Sequence, residues 1–339
     1  MLRRWITTIA AAACLGGGLA GTPREASAQE VMELTFHTIM VSDDPIAKGA
    51  RLFAERLEAL SGGTMTMTVF DGAQLFAQNA NADALSRGQI QLAESGFSGF
   101  EDIMPYTSMF TSAYIFTSVE HAQRFWASEA GRAIFDELAE KANIRILNGM
   151  VYYGTRQLSL TDAVDRTVTT PEDLAGVKLR MANYPGWMAL GEALGASPTP
   201  IAFNETYLAM QTGVVDGQDN GLTVSKAMGF DELTAQLVLT DHLVWNLHYA
   251  INEDVWQSLS DEQRGWVRQA ADEAHAYATG LIAEGEEALI EEFRAQGIEV
   301  VEPDKDAFIE HARAYYEANE SVTADWDWDL YETIASMAD

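Results

Sequence analysis

Two residues offer usable chemistry at a fixed spacing: Arg180 and, forty positions later, Asn220. Arg180 stands at the end of a predicted short strand over 177–181, the place where an α/β unit presents groups to a ligand. Asn220 is expected in a turn, and the two helical units between the pair fold both residues back toward one cleft. A guanidinium presents two parallel N–H donors that match the two oxygens of a carboxylate. Truncating one side of such a desolvated pair typically costs about 2–5 kcal/mol. The plainer alternative is a surface arginine at a helix C-terminus, because long charged side chains are mostly exposed.

Catalytic chemistry is poorly supplied by comparison. The histidines (His37, His121, His242, His248, His275 and His311) are widely spaced and form no H-E-x-x-H pair, and no G-x-S-x-G nucleophile motif occurs. Asp216 and Asp219 flank Gly217 and read as turn chemistry rather than as an acid–base pair. No nucleophile–base set or metal-ligand cluster can be assembled, so catalytic residues, metal and cofactor are all expected to be absent.

The elements that must position Arg180 and Asn220 alternate between strand and helix, which argues for an α/β fold. Strands are expected over 33–37, 64–70, 90–93 and 144–150, with Met65, Met67 and Val69 alternating against threonines in the second of them. Asp44-Pro45 reads as a helix cap and first helical residue, and Gly62-Gly63 as that helix's end. Further helices are expected over 79–86 and 121–141. A second unit of the same kind begins near Tyr153, with Thr170-Pro171-Glu172-Asp173 capping a short helix before the 177–181 strand. Asn204 is expected to cap a helix ending at Thr212, followed by a strand over 214–217 and another over 248–252. Ser260 and Gln263 form a capping box that opens a helix reaching about Ala295. At about 1.5 Å per residue that helix is roughly 54 Å long. It either bends at Gly280 or Gly285 or runs unbroken across two lobes.

The first 28 residues read as a secretory leader, with Arg3 and Arg4 ahead of an apolar stretch and cleavage expected after Ala28 in Ala26-Ser27-Ala28. The apolar stretch is too short and glycine-rich for a mature membrane span. A lipidated Cys14 is the alternative, and without the leader the chain has no cysteine and no disulfide. Removing Arg3, Arg4, Arg24 and Glu25 with the leader leaves 18 basic against 50 acidic residues, a net charge of −32. Such a surface excludes nucleic acid and anionic lipid as partners. An anionic ligand would need a local arginine site that prevails within a Debye length of about 8 Å. The run Glu284, Glu286, Glu287, Glu291 and Glu292 is expected to be a solvated helix face.

The segment 171–221 closely resembles the periplasmic solute-binding proteins of TRAP transporters, the DctP type of tripartite, ATP-independent permease systems. The matching pieces are Lys178-Leu179-Arg180, G-A-S-P-T-P at 195–200, F-x-E-x-Y-L-A-M-Q-T at 203–212 and G-V-V-D-G-Q-x-N at 213–220. The resemblance implies a two-lobed Venus-flytrap with a lobe-spanning helix over about 260–296. Lobe I would comprise 29–153 plus 246–285, and lobe II 154–245 plus 286–339. It implies a monomeric receptor, not an enzyme, that closes over a small organic acid anion and hands it to the membrane subunits of a TRAP permease.

By the same resemblance Arg180 makes the bidentate carboxylate contact, Arg156 is the second arginine near that carboxylate, and Asn220 hydrogen-bonds it. Asn183 matches a substrate contact of the sialic-acid-binding members, and Phe203 an aromatic residue that packs on the ligand or simply fills the core. The departures bear on the substrate. Met181-Ala182 replaces Val-Pro, Gly221 replaces proline, and four extra residues separate Arg156 from Arg180. Ser95 and Gly96 occupy positions where sialic-acid-binding members carry polar contacts including a glutamate, with Glu94 two positions away, and Ile39 and Gln78 face the substrate from the same lobe. Tyr184 and Trp187 read either as an aromatic wall or as core. A uronate or aldonate suits Gln78, Ser95 and Asn183 better than sialic acid does, with a C4-dicarboxylate, sialic acid or ectoine as alternatives. An exported hydrolase or lyase is the distant rival, and the binding protein of an ATP-driven transporter lacks these motifs.

Overall fold

The computed structural model describes residues 31–338. The expected leader, its cleavage after Ala28 and the question of Cys14 lie outside them. Strands β1 (Met32–His37) and β2 (Met65–Phe70) pair in parallel and are joined by helix α1 (Pro45–Leu60). The Asp44 carboxylate accepts the Ile46 N–H at 2.7 Å and Pro45 takes the first turn, as the sequence leads one to expect. After α2 (Asn81–Ser86), strand β3 (Leu92–Ser95) runs parallel to β1.

The single helix expected over 121–141 is two helices, α3 (Val119–Ala127) and α4 (Glu129–Ala142). Extended Ser128 ends the first, and its hydroxyl caps the second through the Gly131 N–H at 3.2 Å. Any side chain at 131 would meet the Phe125 carbonyl at 2.5 Å, so the glycine permits this tight corner. Strand β4 (Ile144–Ile146) follows and is shorter than the expected 144–150.

The second unit holds β5 (Val151–Leu160), β6 (Lys178–Met181), α5 (Pro185–Ala193), β7 (Ser197–Pro200), α6 (Thr206–Gln211), β8 (Gly217–Asn220) and α7 (Leu222–Ala227). Asn204 lies inside a 3-10 turn, Phe203–Glu205, and caps nothing. The strand expected over 214–217 is shifted to Gly217–Asn220, so Asn220 ends a strand rather than sitting in a turn. The chain closes with β9 (Gln236–Asn252), α8 (Glu253–Ser258), α9 (Asp261–Ala295), β10 (Glu299–Val301), α10 (Lys305–Ala318), α11 (Glu320–Thr323) and α12 (Trp328–Ala335).

The strands run in the order β2-β1-β3-β9-β5-β8-β6-β7, with β4 and β10 also on β9. One half, β2-β1-β3 with β4, meets only the C-terminal end of β9, from His248 to Asn252. The other half, β5-β8-β6-β7 with β10, uses β9 from Gln236 onward. The result is a two-lobed α/β fold in which β5 and β9 pass between the halves. Nearly every residue of the 17-residue β9 is buried, so it lacks the alternation that marks a half-exposed strand.

Helix α9 runs unbroken for 35 residues, opened by the expected Ser260–Gln263 box. Its first half packs closely on α1, where a Cβ on Gly49 would lie 3.1 Å from that of Ala278. Its second half meets the other lobe. Glu286 accepts the Tyr152 hydroxyl at 2.6 Å and the Thr155 N–H at 2.9 Å, and Lys226 of α7 pairs with Glu292 at 2.9 Å. Glu286 is thus half-buried and structural, which corrects the reading of that acidic run as a wholly solvated face.

Candidate anion site

Strand β6 lies between β7 and β8 and carries Arg180 in register with Thr199 and Gln218. The side chain is only 2 % exposed. Its Nε donates to the Ile201 carbonyl at 2.9 Å, its guanidinium carbon lies 5.8 Å from the Phe203 ring centre, and Nη2 is buried without a hydrogen-bond partner. Burial chiefly, with repulsion from Arg156, outweighs attraction to Asp219 and brings its pKa down to about 10. A desolvated cation with an unused donor is the local requirement for binding an anion.

Arg156 comes from β5 through an irregular stretch: the β5–β9 register shifts between Tyr152 and Thr155 and again between Arg156 and Leu158. Such bulges re-aim side chains. The bend is possible because Gly154 adopts φ +94° and approaches Gly221, where a Cβ on residue 154 would lie 3.2 Å from the Gly221 Cα. Arg156 is already engaged. Its Nε meets Asp219 Oδ2 at 2.6 Å, Nη2 meets the Asp219 carbonyl at 2.5 Å, and its guanidinium carbon sits 4.5 Å from the Trp187 ring centre.

Asp219 is fully buried. Burial alone would raise its pKa, but Arg156 and His242 pull it well below the carboxylate range. His242 bridges on, with Nε2 3.2 Å from Asp219 Oδ2 and Nδ1 2.7 Å from the Thr240 hydroxyl. Asp219 is therefore the counter-ion of Arg156 and not a turn residue. Asp216 is the turn residue, accepting the Lys178 N–H at 2.8 Å.

These arginines line a cavity of about 90 Å³. Of the residues singled out by sequence, Arg180, Arg156, Asn220, Phe203, Trp187, Tyr184, Gln78, Ser95, Ile39 and Glu94 all reach its wall. Asn183 does not: it is exposed and absent from the lining. Asn220 donates to Gln218 Oε1 at 2.5 Å, and one amide hydrogen is left over. Trp187 stacks edge-on with Trp245 at 4.9 Å, and the Tyr184 hydroxyl reaches the Gln78 carbonyl at 3.0 Å, so the aromatic wall joins the two halves.

On the opposite wall Glu94 is 3 % exposed. Its Oε1 accepts the Ile39 N–H at 3.3 Å, while Oε2 is buried without a partner. Burial raises its pKa to about 8. Sequence reasoning did not single out Asn81, Ser98, Trp245 or Leu247 as wall residues. Gly96 carried a signal for this packing, since a Cβ there would lie 2.9 Å from Trp245 Cζ2.

Residues 36–321 match the family model for bacterial extracellular solute-binding proteins, family 7, the DctP family. The chain belongs to this family. It is 31 % identical over 272 residues to the sialic acid-binding periplasmic protein SiaP of Vibrio cholerae, covering 80 % of this chain and 83 % of that one. A TRAP periplasmic solute-binding protein of Roseobacter denitrificans, solved with bound 3-deoxy-D-manno-oct-2-ulosonic acid, is 34 % identical with a TM-score of 0.85, covering 91 % of this chain and all (100 %) of that one. A second from the same organism, solved with L-galactonate, is 28 % identical with a TM-score of 0.81 over 91 % and 99 % of the two chains. This DctP-family chain is therefore a TRAP-type periplasmic solute-binding protein. Among its described residues no helix is long and apolar enough to cross a membrane.

Proposed function

We propose that this protein captures a sugar acid, a uronate or aldonate or a close relative, by its carboxylate and delivers it to a TRAP permease. The observation that carries this reading is the contrast between the two arginines. Arg156 is neutralised by Asp219, whereas Arg180 is equally buried yet keeps an unpartnered Nη2 on the cavity wall. Arg180 is the primary carboxylate anchor, and Arg156 holds the aromatic wall through Trp187 and adds long-range attraction. The polar groups of Gln78, Ser95, Asn81 and Asn220 meet the hydroxyls. The related proteins solved with 3-deoxy-D-manno-oct-2-ulosonic acid and L-galactonate support this ligand class.

In this reading lobe I comprises 29–153 with 246–285 and lobe II the remainder of the mature chain, with the hinge where β5 and β9 cross. The protein acts as a monomer in the periplasm after removal of its leader at Ala28. It is not an enzyme. The chain of groups Asp219–His242–Thr240 has the spacing of a proton relay, but each member is fully buried (0 % exposed) and none lines the cavity.

A thermal-shift screen tests the reading with uronates, aldonates, 3-deoxy-D-manno-oct-2-ulosonic acid, C4-dicarboxylates, sialic acid and ectoine. A ligand at a hundred times its dissociation constant adds about 2.7 kcal/mol to folding. A sugar acid is expected to raise the Tm, and Arg180→Ala to abolish that rise. A response restricted to neutral sugars or zwitterions refutes the substrate class, and turnover of a bound acid refutes the receptor role.

A further inference from the structure

If the ligand is a sugar acid as proposed above, the cavity wall on the β3 side also has a part in recognising it. Glu94 projects from β3 into the cavity lining. Its two oxygens are in different situations: Oε1 faces the Ile39 N–H, a donor, and Oε2 is buried with nothing to bond. An ionised carboxylate in that position would hold a full charge with one long hydrogen bond from Ile39 and weaker attraction to the Thr38 hydroxyl and its own N–H, next to a site built to receive a second anion. A neutral carboxyl meets the same geometry more easily, because the backbone donor fixes Oε1 as the carbonyl oxygen and places the O–H on Oε2.

Burial and the nearby Asp44 favour the neutral form and outweigh the Glu94 and Ile39 N–H groups and the Thr38 hydroxyl, which favour the charged one. Asp44, at the start of α1, repels a charge on Glu94, and it is itself engaged by the Tyr153 hydroxyl at 2.8 Å. The other titratable or charged neighbours are Tyr153 and Arg156 from β5, Tyr249 from β9, Arg180 across the cavity and His37, which bonds Asn81 at 2.9 Å. Of these Arg156 is committed to Asp219. Burial is the largest influence on Glu94 and brings its pKa to about 8.

We propose that Glu94 binds the captured anion in its neutral form, giving its carboxyl hydrogen to an oxygen of the ligand, so that capture weakens as the medium turns alkaline. The partner oxygen is a hydroxyl, ring or keto oxygen of the acid, distinct from the carboxylate held by Arg180. Glu94 thereby selects for an acceptor at the far end of the ligand from its acid group.

The sign follows from competition between ligand and ionisation. Affinity is full where Glu94 is protonated and falls as pH rises through its titration near pH 8. At pH 9 only about a tenth of the protein is competent, so the apparent dissociation constant rises about tenfold from its value at pH 6.5. Burial lowers the pKa of Arg180 only to about 10, so its charge is kept over this range.

The experiment has a ligand-free arm and a binding arm. Infrared difference spectroscopy of the ligand-free protein at pH 6.5 is expected to show a protonated-carboxyl component that is missing from Glu94→Gln and lost in alkali, beside those of Glu101 and Asp44, whose pKa values burial raises to about 7 and about 6. Its absence overturns the proposal whatever the ligand. Isothermal titration with L-galactonate and with 3-deoxy-D-manno-oct-2-ulosonic acid is expected to show the tenfold loss in the wild type between pH 6.5 and 9. Folded Glu94→Gln keeps a neutral donor and should bind within about threefold of wild type at pH 6.5, with a flat profile. Loss of binding in that variant at pH 6.5 means that Glu94 acts as a charged acceptor, and the proposal fails. If neither acid binds the wild type, nor any other uronate or aldonate of the screen above, the sugar-acid reading fails and takes this proposal with it, and a persisting infrared component identifies ligand class as the fault.

Discussion

Replacing Asp219 by asparagine probes the reasoning about the arginine pair most directly. The substitution keeps the shape and the acceptor of the side chain and deletes one charge. Asp219 is fully buried, 2.6 Å from Arg156 Nε and 3.2 Å from His242 Nε2, and Arg156 itself is only 4 % exposed. Removing one member of a buried pair leaves the other charge uncompensated, which costs about 3–5 kcal/mol. For a chain of this size each kcal/mol moves the Tm by about 2 °C, so the ligand-free variant is expected to melt roughly 6–10 °C lower. A ligand carboxylate would then face two unneutralised arginines, so the sugar acid that stabilises the wild type should raise the variant's Tm by a larger increment. Thermal unfolding followed by circular dichroism, with and without that acid, measures both effects. A variant that melts within 1–2 °C of wild type, or gains no more from ligand than the wild type does, refutes the assignment of Asp219 as the counter-ion that reserves Arg180 for the ligand.

Three other outcomes are expected. The raised pKa of Glu94 means that its proton is held more tightly folded than unfolded. The stability this contributes is complete below the unfolded value near 4.5 and is lost as pH rises through about 8. Ligand-free wild type should therefore lose Tm between pH 6 and 9 more steeply than Glu94→Gln, and parallel curves refute the shift. Asp44→Ala removes the α1 cap together with the acceptor of the Tyr153 hydroxyl and should cost about 1–3 kcal/mol in a urea melt at pH 7.5. Asp44→Asn, which keeps a cap and deletes a carboxyl with a pKa raised to about 6 by burial, should cost far less. Gly186→Ala would place a Cβ 2.2 Å from the Thr111 hydroxyl and 2.9 Å from Glu101 Oε1. It should push α5 away from Pro105–Thr111, weaken ligand binding and enlarge the radius of gyration in small-angle scattering, and an unchanged radius refutes that steric account.

What could be read from sequence depended on how local the determining interaction was. The Asp44-Pro45 start, the Ser260–Gln263 box and the Thr170–Asp173 box are contacts within four residues, and each forms as expected. The alternation in β2 was legible because one of its faces is buried. The corner at Ser128 was masked by continuous helical spacing on both sides and is imposed by packing of Gly131 on Phe125. Part of the cavity wall was legible because Ser95, Arg180 and Asn220 lie at or near the ends of short strands. The ion pair that fixes Arg156 was not, since Asp219 lies 63 residues away and meets it only through the bulged register of β5. Glu94 likewise took its importance from tertiary surroundings, as an acid facing an amide donor across 55 residues of chain.

The long helix α9 has an elastic consequence. It is gripped near Ala274 and Ala278 by α1 and again at Glu286 by Tyr152 and Thr155, with Gly280 and Gly285 in the interval between, where Ile282 is buried and Gly285 faces Thr223. Two glycines in so short an interval make that turn the softest part of the rod. A rod fastened to both halves with its most pliable turn between the fastenings would take up any change in their separation by bending at that turn.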